Sequence, residues 1–194
     1  MAKQTFNTHD LEVNIAHIQK LEIRALNVCI NVYIENFGNG SGKISVSDES
    51  TNWSVCWNAM SKPLVNFFCS CDNDYLITKL DPYLSATIPD FGTFNTEMRR
   101  KIIEMRKWEM LTPSDARSLY SVKDWSSYVT NNPYEPLIKP SELDLTDDEW
   151  REISEDSLGN FDVPQKTNPR YEYVENIVNI VKIAIVKAGL IDDK

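Results

Sequence analysis

A long stretch of the first half alternates apolar and polar side chains, which is the pattern of half-buried strands. In LNVCINVYIE the apolar side chains occupy even positions from Leu26 to Ile34, whereas those before them, beginning at Leu21, occupy odd positions. A bulge near Ala25 and Leu26 would accommodate this change. The turn-forming segments GNGSG and DESTN then separate two further alternating segments. The pattern predicts a three-stranded antiparallel meander.

On both sides of the meander, the apolar residues have the spacing of an amphipathic helix. Thr8 is placed to cap a helix over residues 9–19, in which Leu11, Ile15 and Ile18 share one face. After the third strand, one helical stripe holds Leu64, Phe67, Phe68, Cys71 and Tyr75. We therefore predict an α-β-β-β-α domain over residues 1–90, with helices that cover the meander.

Residues 91–194 are predicted to form a helical region, which makes the fold class α+β. NTEMRRKIIEMRKWEM is an amphipathic helix, and Thr112 is placed to cap the next one. Thr146 and Glu149 have the spacing of a capping box. Whether the apolar helix predicted over 171–188 lies in the core or forms a homodimer interface stays open.

The acidity of the chain is concentrated in one segment. The 194 residues carry a formal net charge of -9, and residues 141–162 hold nine acidic side chains against Arg151 alone. The rest of the chain is therefore almost neutral, and a charged partner is expected to bind at this segment. A consecutive acidic run is also typical of a solvated helix face. Both interpretations stay open.

The sequence predicts a cytoplasmic protein. MAKQTFNTHDLEVN has no apolar run after its lysine, so it does not have the pattern of a secretory signal. The most apolar stretch, at 177–186, is too short to span a bilayer and contains Lys182. No membrane partner is expected, and the cysteines are expected to be free thiols.

The cysteines in NFFCSCDNDYL do not have the spacing of a metal or redox site. One residue separates Cys69 from Cys71, whereas the cysteine pairs of metal and redox sites have two or more intervening residues. His9 and His17 have no accompanying motif, and GNGSGK leads into a strand rather than into the helix that a phosphate loop needs. We therefore predict structural thiols in a core helix, with no cofactor, metal or catalytic residue. A hydrolase or Mg²⁺ site within the acidic segment stays a further alternative.

The order of helix, three strands and helix is similar to that of the double-stranded-RNA-binding domain. The second helix of that domain needs lysines at its amino end to contact phosphates. Here SKPLVNFFCSCDNDYL offers Lys62 and then two aspartates. The residues argue against RNA binding, and only the topology is kept as an expectation.

Residues 53–80 resemble a stretch of small accessory proteins of temperate phages and prophages of enteric bacteria. The resemblance is carried by Trp57, Ala59, Met60, Phe67, Phe68, Asp72, Tyr75, Leu76, Lys79 and Leu80. Those proteins have no settled biochemical activity, so the resemblance implies a phage-accessory context inside a bacterial host cell and no catalytic residue.

That context favours a non-enzymatic protein that binds and inhibits or modulates a host protein. Carboxylates at phosphate-like spacing can occupy a basic nucleic-acid-binding surface, as a DNA mimic does. The expected target is a host protein with such a surface, for example in a nucleic-acid-acting defence complex, which would make the chain an inhibitor of the anti-CRISPR type. The predicted contacts are Glu142, Asp144, Asp147, Asp148, Glu149, Glu152, Glu155 and Asp156, with Trp150 as an aromatic anchor.

A second hypothesis is a nucleic-acid-binding accessory protein of phage replication or recombination. Its contacts would be Arg99, Arg100, Arg106 and Lys107, on the amphipathic helix of the second half. The leading hypothesis expects no direct nucleic-acid partner, so salt-dependent binding to DNA separates the two.

Overall fold

The structure, a computed structural model, describes residues 15, 17–25, 28–130, 137–154 and 163–191. Its elements are β1 Gln19–Ala25, β2 Val28–Gly38, β3 Ser41–Ser47, β4 Asn52–Trp57, α1 Leu64–Ser70, α2 Asn73–Leu80, β5 Thr87–Pro89, α3 Phe91–Lys107, α4 Pro113–Ser121, a 3-10 helix Trp125–Tyr128, α5 Asp147–Ile153, β6 Gln165–Thr167 and α6 Pro169–Lys187. The chain divides into two compact units: unit 1 is Met1–Leu84 with Pro169–Lys194, and unit 2 is Ser85–Asn168. The α+β class is confirmed, and α6 belongs to the unit that holds the main sheet.

Unit 1 is built on a four-stranded antiparallel sheet in the order β1-β2-β3-β4. The prediction of three strands was wrong, because β1 and β2 are separate strands rather than one bulged strand. Ala25 pairs with Val28 and Leu21 lies opposite Val32, so β1 and β2 run antiparallel to each other. Since paired residues point to the same face of a sheet, this reversal changes the parity of the apolar positions just as a bulge would.

The helix predicted over residues 9–19 lies largely outside the described residues. Its last residue, Gln19, is the first residue of β1 and pairs with Ile34. Ile15 and Ile18, which the helical spacing assigned to an apolar face, are 92 % and 50 % exposed. Because Gln19 already pairs in the sheet, β1 begins two residues before Leu21, where the alternation had suggested its start.

Two short helices, α1 and α2, stand where the sequence predicted one. Asp72 caps α2: its carboxylate accepts a hydrogen bond from the amide of Tyr75 at 2.6 Å. A continuous apolar stripe does not reveal such a break, because Phe68 before it and Leu76 after it are both buried in the same core. A capping aspartate inside an apolar pattern is the signal that marks the second helix.

The helix α6 completes the core of unit 1. Its buried side chains are Val174, Ile177, Val178, Val181 and Ile185, and they belong to one cluster with the apolar residues of β2, β3, β4, α1 and α2. Gly189, at a φ of +65°, follows the helix end, as glycine commonly does. The predicted C-terminal helix is confirmed. Among the described helices, none combines the length and apolar character needed to cross a bilayer.

Unit 2 has a core of its own around the fully buried Trp125. The core residues with it are Phe94, Met98, Ile102, Met105, Leu111, Leu119, Val122, Leu137, Leu143 and Trp150. The amide of Trp125 donates to Asn95 Oδ1 at 2.6 Å, which joins the 3-10 helix to α3. β5 and β6 form a two-stranded antiparallel ribbon. The helical character predicted for this part of the chain is confirmed.

Candidate functional site

The acidic side chains at the start of α5 are held by local hydrogen bonds. The predicted capping box is present: Glu149 Oε2 accepts from the Thr146 amide at 2.7 Å, and Thr146 Oγ1 accepts from the Glu149 amide at 3.3 Å. Lys139 Nζ donates to Asp147 Oδ1 at 2.7 Å. These bonds lower the pKa of Asp147 and Glu149 below their ordinary values, so both side chains are anions at neutral pH.

Two further acids of this segment have partners nearby. The hydroxyl of Tyr128 donates to Glu142 Oε2 at 2.8 Å, and Arg151 donates to Asp148 Oδ1 at 3.1 Å. The pairing leaves them accessible, since 92 % of the Asp148 side chain remains exposed. The predicted contact residues that are exposed in the described part of the segment are Glu142, Asp144, Asp147, Asp148, Glu149 and Glu152. Glu155 and Asp156 lie outside the described residues.

Trp150 does not lie where the sequence hypothesis needs it. Its side chain is 6 % exposed and belongs to the core of unit 2, so it is not presented to a partner as an aromatic anchor. The physical reason is the helical period: α5 turns its acids to solvent and needs one large apolar residue on the opposite side to bury against the unit. Trp150 therefore orients the acidic face rather than extending it.

Four carboxylates line a cleft that the sequence did not indicate. They come from three places: Glu109 at the end of α3, Asp115 in the first turn of α4, and Glu149 and Glu152 on α5. The cleft has a volume of about 370 Å³, its apolar surface includes Leu111, and its ten lining residues include no lysine or arginine. It is thus a negatively charged depression with an apolar floor.

The backbone explains how two of these acids reach the cleft. Glu109 has a φ of +61°, a left-handed conformation that reverses the chain directly after α3. Asp115 is placed by the start of α4, where Thr112 Oγ1 accepts from the Asp115 amide at 3.2 Å. The helix-start pattern could have indicated that Asp115 lies in a first turn. Nothing in the sequence indicated that this turn would face α5, because that proximity is a property of the tertiary fold.

The four cations of the alternative hypothesis do not form one patch. Arg99 donates to the carbonyl oxygen of Lys123 at 3.0 Å, whereas Arg100 lies 3.5 Å from Glu104 on its own helix. Arg106 and Lys107 are exposed and line a groove between α3 and α4. The helix thus distributes its cations over different neighbours instead of gathering them for a phosphate backbone.

The two cysteines of the NFFCSCDNDYL segment are half-buried at the end of α1. Burial raises the pKa of both the Cys69 and the Cys71 thiol, and the nearby charge of Lys182 opposes this only in part. Within the described ranges, no group of three or more His, Cys, Asp or Glu side chains is placed to hold a metal ion. The thiols are therefore packed side chains with reduced nucleophilicity at neutral pH.

A family model described as a phage family matches residues 11–187, which is most of the chain. No curated protein and no solved structure matches it significantly.

Proposed function

The chain belongs to this phage family, and on that premise we propose that it is a non-enzymatic protein that binds and inhibits or modulates a host protein through its acidic surface. The target would carry a basic nucleic-acid-binding surface, as in a nucleic-acid-acting defence complex. The observation that carries the proposal is the cleft in which Glu109, Asp115, Glu149 and Glu152 converge without a lining cation.

The charge of this region suits a cationic partner. Within residues 141–154, six exposed acidic side chains stand against Arg151 as the single lysine or arginine. The lowered pKa values of Asp147 and Glu149 keep the charges of these two side chains present at and below neutral pH. A concentration of one sign of charge raises the association rate of an oppositely charged partner, most strongly at low salt.

The shape of the cleft also suits lysine and arginine side chains. Such side chains carry an apolar stem below a charged head, and they bury the stem wherever the head can reach a counter-charge. The cleft offers Leu111 and Ile153 as apolar lining, with Glu109 and Glu152 as acids beside them. A basic side chain that enters it gains both contacts, which a flat acidic surface would not provide.

The proposal also implies where the protein acts and which class of partner it binds. A surface that competes with nucleic acid would act as a DNA mimic, in the cytoplasm of the infected cell, and its partner would be a protein rather than nucleic acid or membrane. The resemblance of residues 53–80 favours a temperate phage of enteric bacteria as the source. The alternative, nucleic-acid binding through Arg106 and Lys107, stays a hypothesis that the same experiment tests.

A pull-down from host lysate tests the proposal. Tagged protein is compared with the variant Glu109→Gln plus Glu152→Gln, and with a matched control, Glu49→Gln plus Glu172→Gln, which removes the same charge elsewhere. We expect one nucleic-acid-binding protein to be captured by wild type and control, lost from the cleft variant, and released by added duplex DNA.

Three outcomes would contradict the proposal. Equal capture by all variants would make the acids a solvated face, and capture of nucleic acid that weakens steeply with salt would favour the alternative. Stabilisation of the chain by Mg²⁺ that disappears in the cleft variant would favour a metal site instead.

A further inference from the structure

The groove between α3 and α4 differs in chemistry from the acidic cleft. Its floor includes Ile102 and Ala116, and its exposed apolar margin includes Ile103 and Tyr120, which are 44 % and 48 % exposed. The volume is about 400 Å³, which lies within the range of ligand-binding sites. Large apolar side chains left exposed side by side in a groove are typical of an interaction surface.

The rim of this groove carries one sign of charge. Arg106 and Lys107 stand on α3 and Arg117 stands on α4, and no acidic residue is among the nine that line the groove. Arg117 Nε donates to the Pro113 carbonyl oxygen at 3.0 Å, which holds the guanidinium along α4. A partner that fills the groove therefore needs an apolar face bordered by anions.

We propose that the groove between α3 and α4 binds an acidic amphipathic helix of a partner protein. Two packed helices leave a straight furrow between them, and a third helix is the element whose ridge of side chains fills such a furrow. Leucine-like side chains on that helix would cover Ile103 and Tyr120, while glutamates beside them would reach Arg106 and Arg117. The site is independent of the acidic cleft and goes beyond the function proposed above.

The test measures binding of a defined probe to the full chain. The probe is a fluorescent helical peptide of about four turns, with leucines on one face and glutamates elsewhere, and its counterpart has lysine in place of every glutamate. Fluorescence anisotropy at low salt should show saturable binding of the glutamate peptide. Both peptides are compared on the cleft variant Glu109→Gln plus Glu152→Gln, which weakens the separate acidic site that would attract lysine. On this variant the lysine peptide should bind at least about tenfold more weakly than the glutamate peptide, because its charges meet the cations of the rim.

Variants locate the binding. Arg106→Gln plus Arg117→Gln should weaken binding of the glutamate peptide by about fivefold, and Ile103→Asp by about tenfold or more. The matched control, Arg100→Gln plus Lys123→Gln, removes two cations that do not line the groove and should leave binding unchanged within about twofold. All substituted side chains except the half-buried Ile103 are largely exposed, and an unchanged circular dichroism spectrum verifies the fold of each variant.

Other results would overturn the proposal. Equal binding of both peptides to the cleft variant, or equal effects of the groove and control variants, would show that the rim does not select an acidic helix. A dimer in sedimentation velocity that Ile103→Asp dissociates would make a second copy of the chain the occupant. Displacement of the peptide by single-stranded DNA at stoichiometric amounts would assign the groove to nucleic acid.

Discussion

The ammonium group of Lys182 donates a hydrogen bond to the carbonyl oxygen of Cys71 at 2.7 Å. It donates another to Asn73 Oδ1 at 2.9 Å, so one side chain of α6 spans the break between α1 and α2. The last carbonyl groups of a helix have no partner within the helix, and a charged donor satisfies one of them here. The lysine in the middle of the most apolar segment is therefore a structural residue of unit 1.

We predict that Lys182→Met lowers the free energy of unfolding by about 1 to 3 kcal/mol, because the half-buried carbonyl of Cys71 loses its donor. The apolar stem is retained in methionine, so packing is largely preserved. Urea unfolding followed by circular dichroism gives the value. Lys187→Met, on the exposed last turn of α6, is the control and should change it by less than about 0.5 kcal/mol. Equal losses in both variants would contradict the assignment.

Stability should fall at alkaline pH through Tyr171. Its hydroxyl donates to Asp74, and this bond raises its pKa from the ordinary value of 10 to about 12. Because the folded protein holds the proton more tightly than the unfolded chain, the contribution is complete below pH 10 and is lost as the pH rises to about 12. Tyrosinate absorbance of wild type minus Tyr171→Phe should show a group that titrates near pH 12. Asp74→Asn should lower the pKa of Tyr171. An unchanged pKa would show that the hydrogen bond to Asp74 is not the cause of the shift.

Stability should fall at acidic pH through Asp124, which caps the 3-10 helix. Its carboxylate accepts from the Ser126 hydroxyl at 2.6 Å, the Ser126 amide at 3.0 Å and Asn95 Nδ2 at 3.0 Å, and these bonds lower its pKa from 3.8 to about 2. A lowered pKa contributes stability above pH 3.8 that disappears as the pH falls through 2. Asp124→Asn should thus melt at a lower temperature than wild type at pH 7, and this difference in melting temperature should shrink towards pH 2. A difference in melting temperature that does not change with pH would contradict the prediction.

Two glycines of one hairpin should tolerate alanine differently. Gly38 and Gly40 both have positive φ, at +80° and +71°, so both variants are strained. A Cβ at Gly40 would clash with the Met60 carbonyl oxygen, whereas nothing lies within 4 Å of a Cβ at Gly38. We expect Gly38→Ala to cost about 1 kcal/mol and Gly40→Ala about 3 kcal/mol or more in the free energy of unfolding. Similar values for the two variants in urea unfolding would show that the backbone at Met60 moves to accommodate the added methyl group.

The features that could be predicted from the sequence are those fixed by neighbours in the chain. The capping box of Thr146 and Glu149, the Thr112 cap and the turn at GNGSG depend on a few consecutive residues, and all three are present. Alternation was less decisive. It gave the apolar face of the sheet, but a change of parity between Leu21 and Val32 is consistent with a bulge or with a reversal, so one strand was missed.

The candidate site was harder to predict because its parts are distant in the chain. The acids of α5 could be seen as a run, whereas their proximity to Glu109 and Asp115 depends on how α3, α4 and α5 pack. The role of Trp150 was misjudged for the same reason, since burial is decided by the neighbours that surround a residue in space. The basic groove was half visible, through Arg106 and Lys107, but its third cation and its apolar floor came from the fold.

The order of elements in unit 1 bears on how the protein forms during synthesis. Its sheet and first two helices are made early, but the five core side chains of α6 leave the ribosome only after all of unit 2. Unit 2 is continuous in the chain and has its own core. We therefore expect it to fold before unit 1, even though its synthesis begins at Ser85, after the sheet of unit 1 has been made. Until α6 arrives, the core formed by the sheet, α1 and α2 lacks its last helix and leaves apolar side chains exposed. We expect chaperones to be needed at this stage of biogenesis.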